Sequence, residues 1–219
     1  MPRSDGSHER SHVPRCPHRL SRAPLLIPPR ALFEQPAPAV APLLLGALLT
    51  HRTAEGAVTL RVTEVEAYQG QGEDPGSHAH RGPGRKNAVM FGPAGHLYTY
   101  FTYGMHTCAN VVCLPPSLAA GVLLRAGEVQ GGLELARGPA RLAVALGITL
   151  DDGGADLLDP DGAFTLDLAE RPPAFAVGPR TGVGGVAGTD AYPWRYFVAG
   201  DPTVSPYRPH ARRARSGRP

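Results

Sequence analysis

An alternating run that carries two glutamates is the most constraining feature of this sequence. Residues 58–68, VTLRVTEVEAY, alternate with the period of two that is typical of a β-strand. If the alternation holds throughout, one strand face carries Leu60, Val62, Glu64, Glu66 and Tyr68. Two carboxylates at this spacing fit an acid/base pair of the kind that hydrolyses sugars, or else ion pairs with arginines. Arg125, inside the apolar run VLLRA, is a candidate partner because a buried arginine needs a carboxylate or equivalent acceptors.

The rest of the chain predicts many turns and short elements, because it holds 27 glycines and 24 prolines among 219 residues. Two leucine-rich segments indicate helices, at 36–51 and 138–147. Five segments indicate strands besides 58–68: 96–102, 106–113, 122–126, 177–183 and 194–198. The predicted fold class is therefore α+β, a single compact domain around a mostly antiparallel sheet with flanking helices.

Charge is unevenly distributed along the chain. The net charge of +3 comes from arginine-rich ends, whereas the segment between them is net acidic. We predict a disordered basic leader over 1–28, a domain over 29–206 and a disordered basic tail over 207–219. The two ends either attract phosphates without sequence preference or only keep the protein soluble.

Several classes of protein are disfavoured by what the sequence contains. No apolar run reaches the roughly 18 residues that span a membrane, and the charged start is unlike a secretory signal. The three cysteines, Cys16, Cys108 and Cys113, lack the spacing of a zinc site. We therefore expect a cytoplasmic protein without membrane association or a metal site.

A tyrosine-rich hairpin is the second candidate feature. The strands predicted at 96–102 and 106–113 are joined by a tight turn that contains Tyr103. Tyr98 and Tyr100 share a face of the first strand, which is common for ordinary strand aromatics. A large aromatic at a hairpin tip is poorly placed for a core and well placed to wedge into a base stack.

A basic loop follows the glutamate strand. Within 77–91, SHAHRGPGRKNAVMF, the cationic side chains Arg81, Arg85 and Lys86 are candidate contacts to a DNA backbone, as is Arg141 in the predicted second helix. Lys86 is the only lysine in the chain. Covalent imine chemistry needs an activated amine, usually a lysine in an apolar pocket. Because Lys86 lies in the basic loop, a hydrolytic reaction by direct attack of water fits this sequence better than an imine mechanism.

Seven motifs in order make the sequence resemble a known family. They are VTEVEAYQG (62–70), SHAHRG (77–82), RKNAVMFGPAGHLYTYFTYGMHTCANVVC (85–113), GVLLRA (121–126), GPARLAVALGI (138–148), GPRTGV (178–183) and PWRYFVAGDPTVS (193–205). Each is modest alone, but the ordered set resembles the alkyladenine, or 3-methyladenine, DNA glycosylases over most of 40–206. The resemblance implies a curved antiparallel sheet whose β-hairpin is inserted into DNA.

The same resemblance implies a role for each candidate residue. Glu66 matches the general base that activates the attacking water, and Arg125 matches the arginine beside that water. Tyr103 matches the residue that intercalates where the flipped nucleotide left. The pocket for the extruded base would be formed by Tyr68, His78, Tyr100 and Asn110, the last of which crowds the 2-amino group of a normal guanine. Glu64 also recurs in the family pattern and is interpreted as structural.

The sequence therefore predicts a DNA-repair glycosylase that acts without a cofactor on double-stranded DNA containing damaged bases. It would flip an alkylated or deaminated purine out of the duplex, hydrolyse its N-glycosidic bond without cutting the strand, and act as a monomer. Two alternatives stay open. One is a non-catalytic binder of distorted DNA, and the other is a hydrolase of small N-glycosides, which would need neither the hairpin wedge nor the basic ends.

Overall fold

The computed structural model describes residues 27–102, 104–132 and 135–211. The predicted leader, apart from Ile27 and Pro28, lies outside the described residues, as do Tyr103 and the tail from residue 212. These described residues form nine strands: β1 Leu48–Thr53, β2 Gly56–Tyr68, β3 Leu97–Thr102, β4 His106–Cys113, β5 Ala120–Val129, β6 Leu135–Arg137, β7 Phe164–Asp167, β8 Ala176–Gly178 and β9 Arg195–Phe197. The helices are α1 Ala37–Val40 and α2 Pro139–Leu146, with 3₁₀ turns at Arg30–Leu32, Ala41–Leu44, Ala88–Phe91 and Val186–Gly188.

Strand β2 is the centre of one antiparallel sheet. The strand order is β3-β4-β5-β2-β1-β7, with β6 added beside β5. On the side away from β5, the first half of β2 pairs with β1, while β9 pairs with Glu64, Val65 and Glu66. The predicted class, an α+β domain around a curved antiparallel sheet with few helices, is confirmed.

The two faces of this sheet have different roles. Both helices pack on one face, where Val40 from α1 and Leu142 and Leu146 from α2 join the main hydrophobic core. β5 contributes Val122 and Leu124 to that core. Since side chains alternate along a strand, the neighbouring Arg125 points to the opposite face, where the polar site lies.

The prediction that Leu60, Val62, Glu64, Glu66 and Tyr68 share one face is wrong. Leu60 and Val62 lie in the hydrophobic core, but further along β2 it is Val65 and Ala67 that do so. The pairing of β2 with β5 shifts register on both sides of Glu64. This irregularity reverses the phase of alternation, and such bulges commonly re-aim side chains next to active sites. It turns the two glutamates away from the core.

The helix predicted over 36–51 is also only partly correct. A single turn of α1 and a 3₁₀ turn occupy 37–44, and Leu48 begins strand β1 instead. Pro38 and Pro42 remove backbone donors that a longer helix would need, and Gly46 adopts a left-handed φ of 80° that reverses the chain. The leucines are buried in either conformation, so their periodicity did not decide between helix and strand.

Helix α2 has the predicted position and ends. Pro139 occupies the start of the helix, and Gly147 caps it in the left-handed conformation with a φ of 66°. The hairpin strands β3 and β4 also lie where predicted, whereas the predicted strand at 177–183 shortens to β8 because Arg180 turns into the interior. No helix in the described part of the chain is long and apolar enough to cross a membrane.

Candidate active site

Glu66 lies at the centre of a buried hydrogen-bond network. Its side chain has no exposed area. The Tyr68 hydroxyl donates to Oε2 at 2.8 Å, and the backbone N–H of Thr181 donates to Oε1 at 2.6 Å. Arg125 Nη1 lies 3.3 Å from Oε2. A carboxylate offers about four acceptor positions, so these three donors fix Glu66 in one orientation and leave about one position without a donor in the described part of the chain.

Tyr68 remains a donor in this network. Burial and the adjacent Glu66 carboxylate raise the pKa of Tyr68 well above its ordinary value. The phenol therefore keeps its proton at neutral pH and donates a hydrogen bond to Glu66. Through its ring, the same side chain also lines the aromatic pocket described below.

Arg125 bridges the two glutamates of β2. Its Nε donates to Glu64 Oε1 at 2.9 Å, while its Nη1 faces Glu66. Burial alone would lower the pKa of Arg125, but the carboxylates of Glu66 and Glu64 outweigh it and raise that pKa above the ordinary value. The guanidinium is thus a fixed positive charge beside Glu66.

Glu64 is held by two arginines and a backbone N–H. Arg195 Nε donates to its Oε1 at 2.7 Å, in addition to Arg125, and the Ser205 N–H donates to its Oε2 at 2.7 Å. Burial raises the pKa of Glu64, but the two arginines and Ser205 outweigh burial and lower it below the ordinary value. This geometry fits the interpretation of Glu64 as a structural residue that orients Arg125.

Acid should weaken the fold through Glu64. A carboxyl group whose pKa is lower in the folded state stabilises the protein above its unfolded pKa, and this contribution is lost as pH falls through the folded pKa. We expect the melting temperature of the wild-type protein to fall as pH drops below 4.5, the ordinary glutamate value. Glu64→Gln should show a shallower pH dependence over that range, measured by circular dichroism. Substituting the exposed Glu170 by Gln should leave the wild-type slope intact, and an equal slope in Glu64→Gln would contradict the assignment.

An aromatic pocket adjoins Glu66 on the side of Tyr68. It is lined by Tyr68, Gly76, His78, Met90, Tyr98, Tyr100 and Asn110. His78 Nδ1 lies 3.0 Å from the Tyr98 hydroxyl, and the His78 ring meets Tyr100 edge-on at 4.5 Å between centroids. Asn110 donates its side-chain amide to the Tyr98 carbonyl at 3.1 Å. The structure thus brings all four predicted pocket residues together.

Three pocket residues were not among the predicted ones. Tyr98 is 4% exposed, and burial raises its pKa to about 12, so it offers a neutral hydroxyl. Met90 supplies an apolar wall from the 3₁₀ turn after the basic loop. At Gly76, a Cβ would lie 2.9 Å from Arg180 Nη2, so only glycine lets the loop approach this closely. For Tyr98, the sequence did contain a signal: the alternation of β3 places it on the same strand face as Tyr100, a predicted pocket residue.

A buried ion pair between Arg180 and Asp74 supports Tyr68, which lines the pocket. The sequence analysis did not predict this pair. Neither side chain is exposed, and two guanidinium nitrogens contact the two carboxylate oxygens at 2.6 and 2.7 Å. The Arg180 guanidinium lies 4.4 Å from the Tyr68 ring centroid, a cation–π distance. Because Thr181 follows Arg180 in the chain, the pair helps to position Tyr68 and Thr181, two of the three donors to Glu66. The position of Arg180 within the motif GPRTGV, which has no other charged residue, was the sequence signal that could have indicated a buried arginine.

The predicted DNA-backbone residues lie on two clefts around this pocket. Arg81, Arg85 and Lys86 line a trough of about 850 Å³ that also contacts Tyr98 and Tyr100. Arg141 lines a second cleft of about 540 Å³ that reaches Arg125 and Thr181.

Tyr103 lies outside the described residues, but its neighbours Phe101 and Met105 are 54% and 68% exposed. Among residues 27–102, 104–132 and 135–211, no three His, Cys, Asp or Glu side chains are grouped as metal ligands.

Comparison with known proteins identifies the family. The sequence profile of methylpurine-DNA glycosylases (MPG) matches residues 31–202. The chain belongs to the methylpurine-DNA glycosylase family. It is 55% identical to a relative in Leifsonia xyli subsp. xyli over 84% of this chain and 93% of the relative. Relatives in Streptomyces avermitilis and Nocardia farcinica are 50% and 48% identical, over 85% and 78% of this chain and 94% and 87% of their own lengths. All three are provisionally named 3-methyladenine DNA glycosylases.

Membership in the methylpurine-DNA glycosylase family confirms the resemblance seen in the sequence and the predicted enzyme class, a DNA glycosylase that hydrolyses N-glycosyl bonds. The match begins at residue 31 and ends at residue 202. It therefore covers the glutamate strand, the aromatic pocket and both arginines at 125 and 180, but not the last residues of the described chain.

Proposed function

We propose that this methylpurine-DNA glycosylase flips a damaged purine out of duplex DNA and hydrolyses its N-glycosidic bond with a water molecule activated by Glu66. The supporting observation is that Tyr68 belongs to two sites. Its hydroxyl bonds to Glu66 and its ring lines the aromatic pocket. A purine held in that pocket would contact the same tyrosine that donates to Glu66, which supports placing its glycosidic bond near this carboxylate.

The proposed reaction uses groups that are already in place. Cleavage passes through an oxocarbenium-like sugar, which the Glu66 carboxylate and its water would stabilise while the water attacks. Arg125 from β5 and Thr181 from the turn after β8 keep the carboxylate oriented. An alkylated purine is already cationic, so it leaves readily, and its charge is attracted to the faces of Tyr68 and Tyr100.

Cleavage of the strand is not part of the proposal. An imine mechanism would need an amine beside the sugar, and the one lysine, Lys86, is exposed on the basic loop. The proposed product is therefore an abasic site in an intact strand. Arg81, Arg85, Lys86 and Arg141 are proposed to hold the DNA backbone, and the protein is proposed to act as a monomer.

A non-catalytic binder of distorted DNA is the alternative, and the buried network disfavours it. A surface that only binds phosphates gains nothing from a carboxylate near them, yet Glu66 is held there by three donors. A hydrolase of small N-glycosides is disfavoured by two cationic clefts, one of which adjoins the pocket at Tyr98 and Tyr100 while the other is lined by Arg125 and Thr181.

Single-turnover base release tests the proposal. We expect the wild-type protein to release the base from a duplex with one methylated adenine and from a duplex with one hypoxanthine, leaving an abasic site. Chromatography of the free base measures release, and alkali treatment reveals the abasic site. Release of methylated adenine but not of hypoxanthine would restrict the substrate to alkylated purines. Tight binding without release from any lesion would make the protein a binder.

A Tyr103→Ala variant separates flipping from hydrolysis. Stacking of an aromatic side chain contributes about 1–3 kcal/mol per base, so release from the duplex should fall by about 10- to 100-fold. Release of the same base from single-stranded DNA should change little, because no gap in a base stack needs filling. Unchanged release from the duplex would count against intercalation by Tyr103.

A further inference from the structure

Thr181 carries an enclosed polar atom close to Glu66. Its side-chain oxygen Oγ1 is buried and has no hydrogen-bond partner in the described part of the chain, while its backbone N–H donates to Glu66 Oε1 at 2.6 Å. A buried hydroxyl without a partner is costly, because it has given up its hydrogen bonds to bulk water. A group of this kind therefore indicates a ligand or an ordered water that binds at this position.

The hydrogen bonds of Glu66 are divided unequally between its two oxygens. Each carboxylate oxygen accepts about two hydrogen bonds. The Tyr68 hydroxyl and Arg125 Nη1 both approach Oε2, at 2.8 and 3.3 Å, whereas the N–H of Thr181 is the one donor to Oε1 among the described residues. The acceptor position that these donors leave is therefore on Oε1, next to Thr181.

One water molecule can join Thr181 Oγ1 to Glu66 Oε1. Oγ1 is separated from the nitrogen that binds Oε1 only by Cα and Cβ, and two O–H···O bonds of about 2.8 Å each span roughly 5.6 Å. The two oxygens also supply the two polar partners that a bound water needs at least. Thr181 and Arg125 line the cleft of about 540 Å³, which gives water a path from bulk solvent to this residue.

We propose that Thr181 Oγ1 and Glu66 Oε1 together hold the water that attacks the sugar. The water oxygen forms a bond to the anomeric carbon while the glycosidic bond breaks, the electron pair of that bond goes to the leaving purine, and Glu66 takes one proton from the water. Thr181 Oγ1 accepts a hydrogen bond from the second O–H and so fixes the direction of attack. This inference rests on the proposed function, because it takes Glu66 to be the general base.

Removal of the hydroxyl tests this assignment. Valine has nearly the shape of threonine and keeps the N–H that binds Glu66, so Thr181→Val removes the hydroxyl alone. Single-turnover release of methylated adenine should fall by about tenfold or more, since a displaced reactant can lower a rate by about 100-fold. Affinity for a duplex with a tetrahydrofuran abasic-site analogue should stay at the wild-type value. Thr181→Ser, which restores the hydroxyl, should recover most of the lost rate.

A competing nucleophile gives a readout that a purely structural role would not change. Methanol can attack the anomeric carbon in place of water and leaves a methyl glycoside, but it has one O–H for Glu66 and none for Thr181. In Thr181→Val, a methyl group replaces the hydroxyl. The ratio of methyl glycoside to abasic site, measured by mass spectrometry in dilute methanol, should therefore rise by about 2- to 10-fold, the equivalent of one ordinary hydrogen bond. A change that merely displaces Glu66 would slow both reactions alike and keep the wild-type ratio.

Thr165 provides the matched control. Its Oγ1 is also buried without a hydrogen-bond partner in the described part of the chain, but it lies on β7, beside β1, and is not among the described residues that line the pocket or the cleft. Both Thr→Val changes remove an unpaired buried hydroxyl, so neither should lower the melting temperature. Thr165→Val should also keep the wild-type rate of release and the wild-type product ratio.

The possible outcomes separate this inference from the proposed function. Active wild-type protein together with an unchanged rate or an unchanged product ratio in Thr181→Val would overturn the role of the hydroxyl. Weaker binding of the abasic-site duplex by this variant, with an unchanged product ratio, would assign the hydroxyl to DNA binding and overturn the role as well. No release by the wild-type protein would refute the proposed function, and this inference with it.

Discussion

Substitution of Glu66 by Gln should nearly abolish base release while the protein still binds DNA. Glutamine has the same shape and keeps one oxygen for Tyr68 or Thr181, but it lacks the charge that activates water. Removing a general base typically lowers the rate by about 10²- to 10⁴-fold. We expect a loss in that range in single-turnover release of methylated adenine from a duplex.

The folded state should tolerate this change. Arg125 would lose Glu66 but would keep Glu64, whose Oε1 lies 2.9 Å from its Nε. Affinity for a duplex with an abasic-site analogue should therefore match that of the wild-type protein. If the variant still releases base within about tenfold of the wild-type rate, well below the effect expected for a general base, water activation does not depend on Glu66. If it fails to bind as well, the experiment reports on folding, and circular dichroism would show that directly.

The sequence was sufficient to predict the elements on which this site is built. Local signals define the hairpin of β3 and β4 and the ends of α2, where Pro139 and Gly147 occupy positions that favour those residues. The pairing of Arg125 with a glutamate of β2 was also predictable, because an arginine inside an apolar strand needs a carboxylate.

The phase of β2 could not be predicted from the sequence. The register shift around Glu64 depends on how β5 pairs with β2, which is a property of the two strands together and not of either alone. A strict period of two placed Glu66 on the same face as Leu60, in the core. The bulge separates them, and this separation gives the glutamate access to the polar face.

Asp74 and Arg180 were missed for a similar reason. They are 106 residues apart, and neither segment has a regular period that would mark its side chain as buried. An acidic residue in a Gly- and Pro-rich loop is usually solvated. Only the folded chain shows that this carboxylate is buried and paired with Arg180, whose guanidinium lies over the Tyr68 ring.

Breaking this pair should cause a large loss of stability. In Asp74→Asn, the Arg180 guanidinium would stay buried without a carboxylate, because it is completely enclosed. Removing one partner of a buried ion pair costs about 3–5 kcal/mol, a large part of the stability of an ordinary domain, about 5–15 kcal/mol. We expect the urea midpoint of unfolding to fall accordingly. Base release by the fraction that remains folded should fall too, since Arg180 supports the Tyr68 ring.

The exposed pair of Arg61 and Glu128 provides the matched control. Its side chains are 32% and 56% exposed, and such surface pairs contribute about 0–1 kcal/mol. Glu128→Gln should therefore leave the urea midpoint and base release nearly unchanged. If Asp74→Asn is no more destabilising than Glu128→Gln, the buried pair does not hold the pocket in place. In that case Tyr68 must be positioned by its hydrogen bond to Glu66, and Tyr68→Phe should then reduce release far more than Asp74→Asn does.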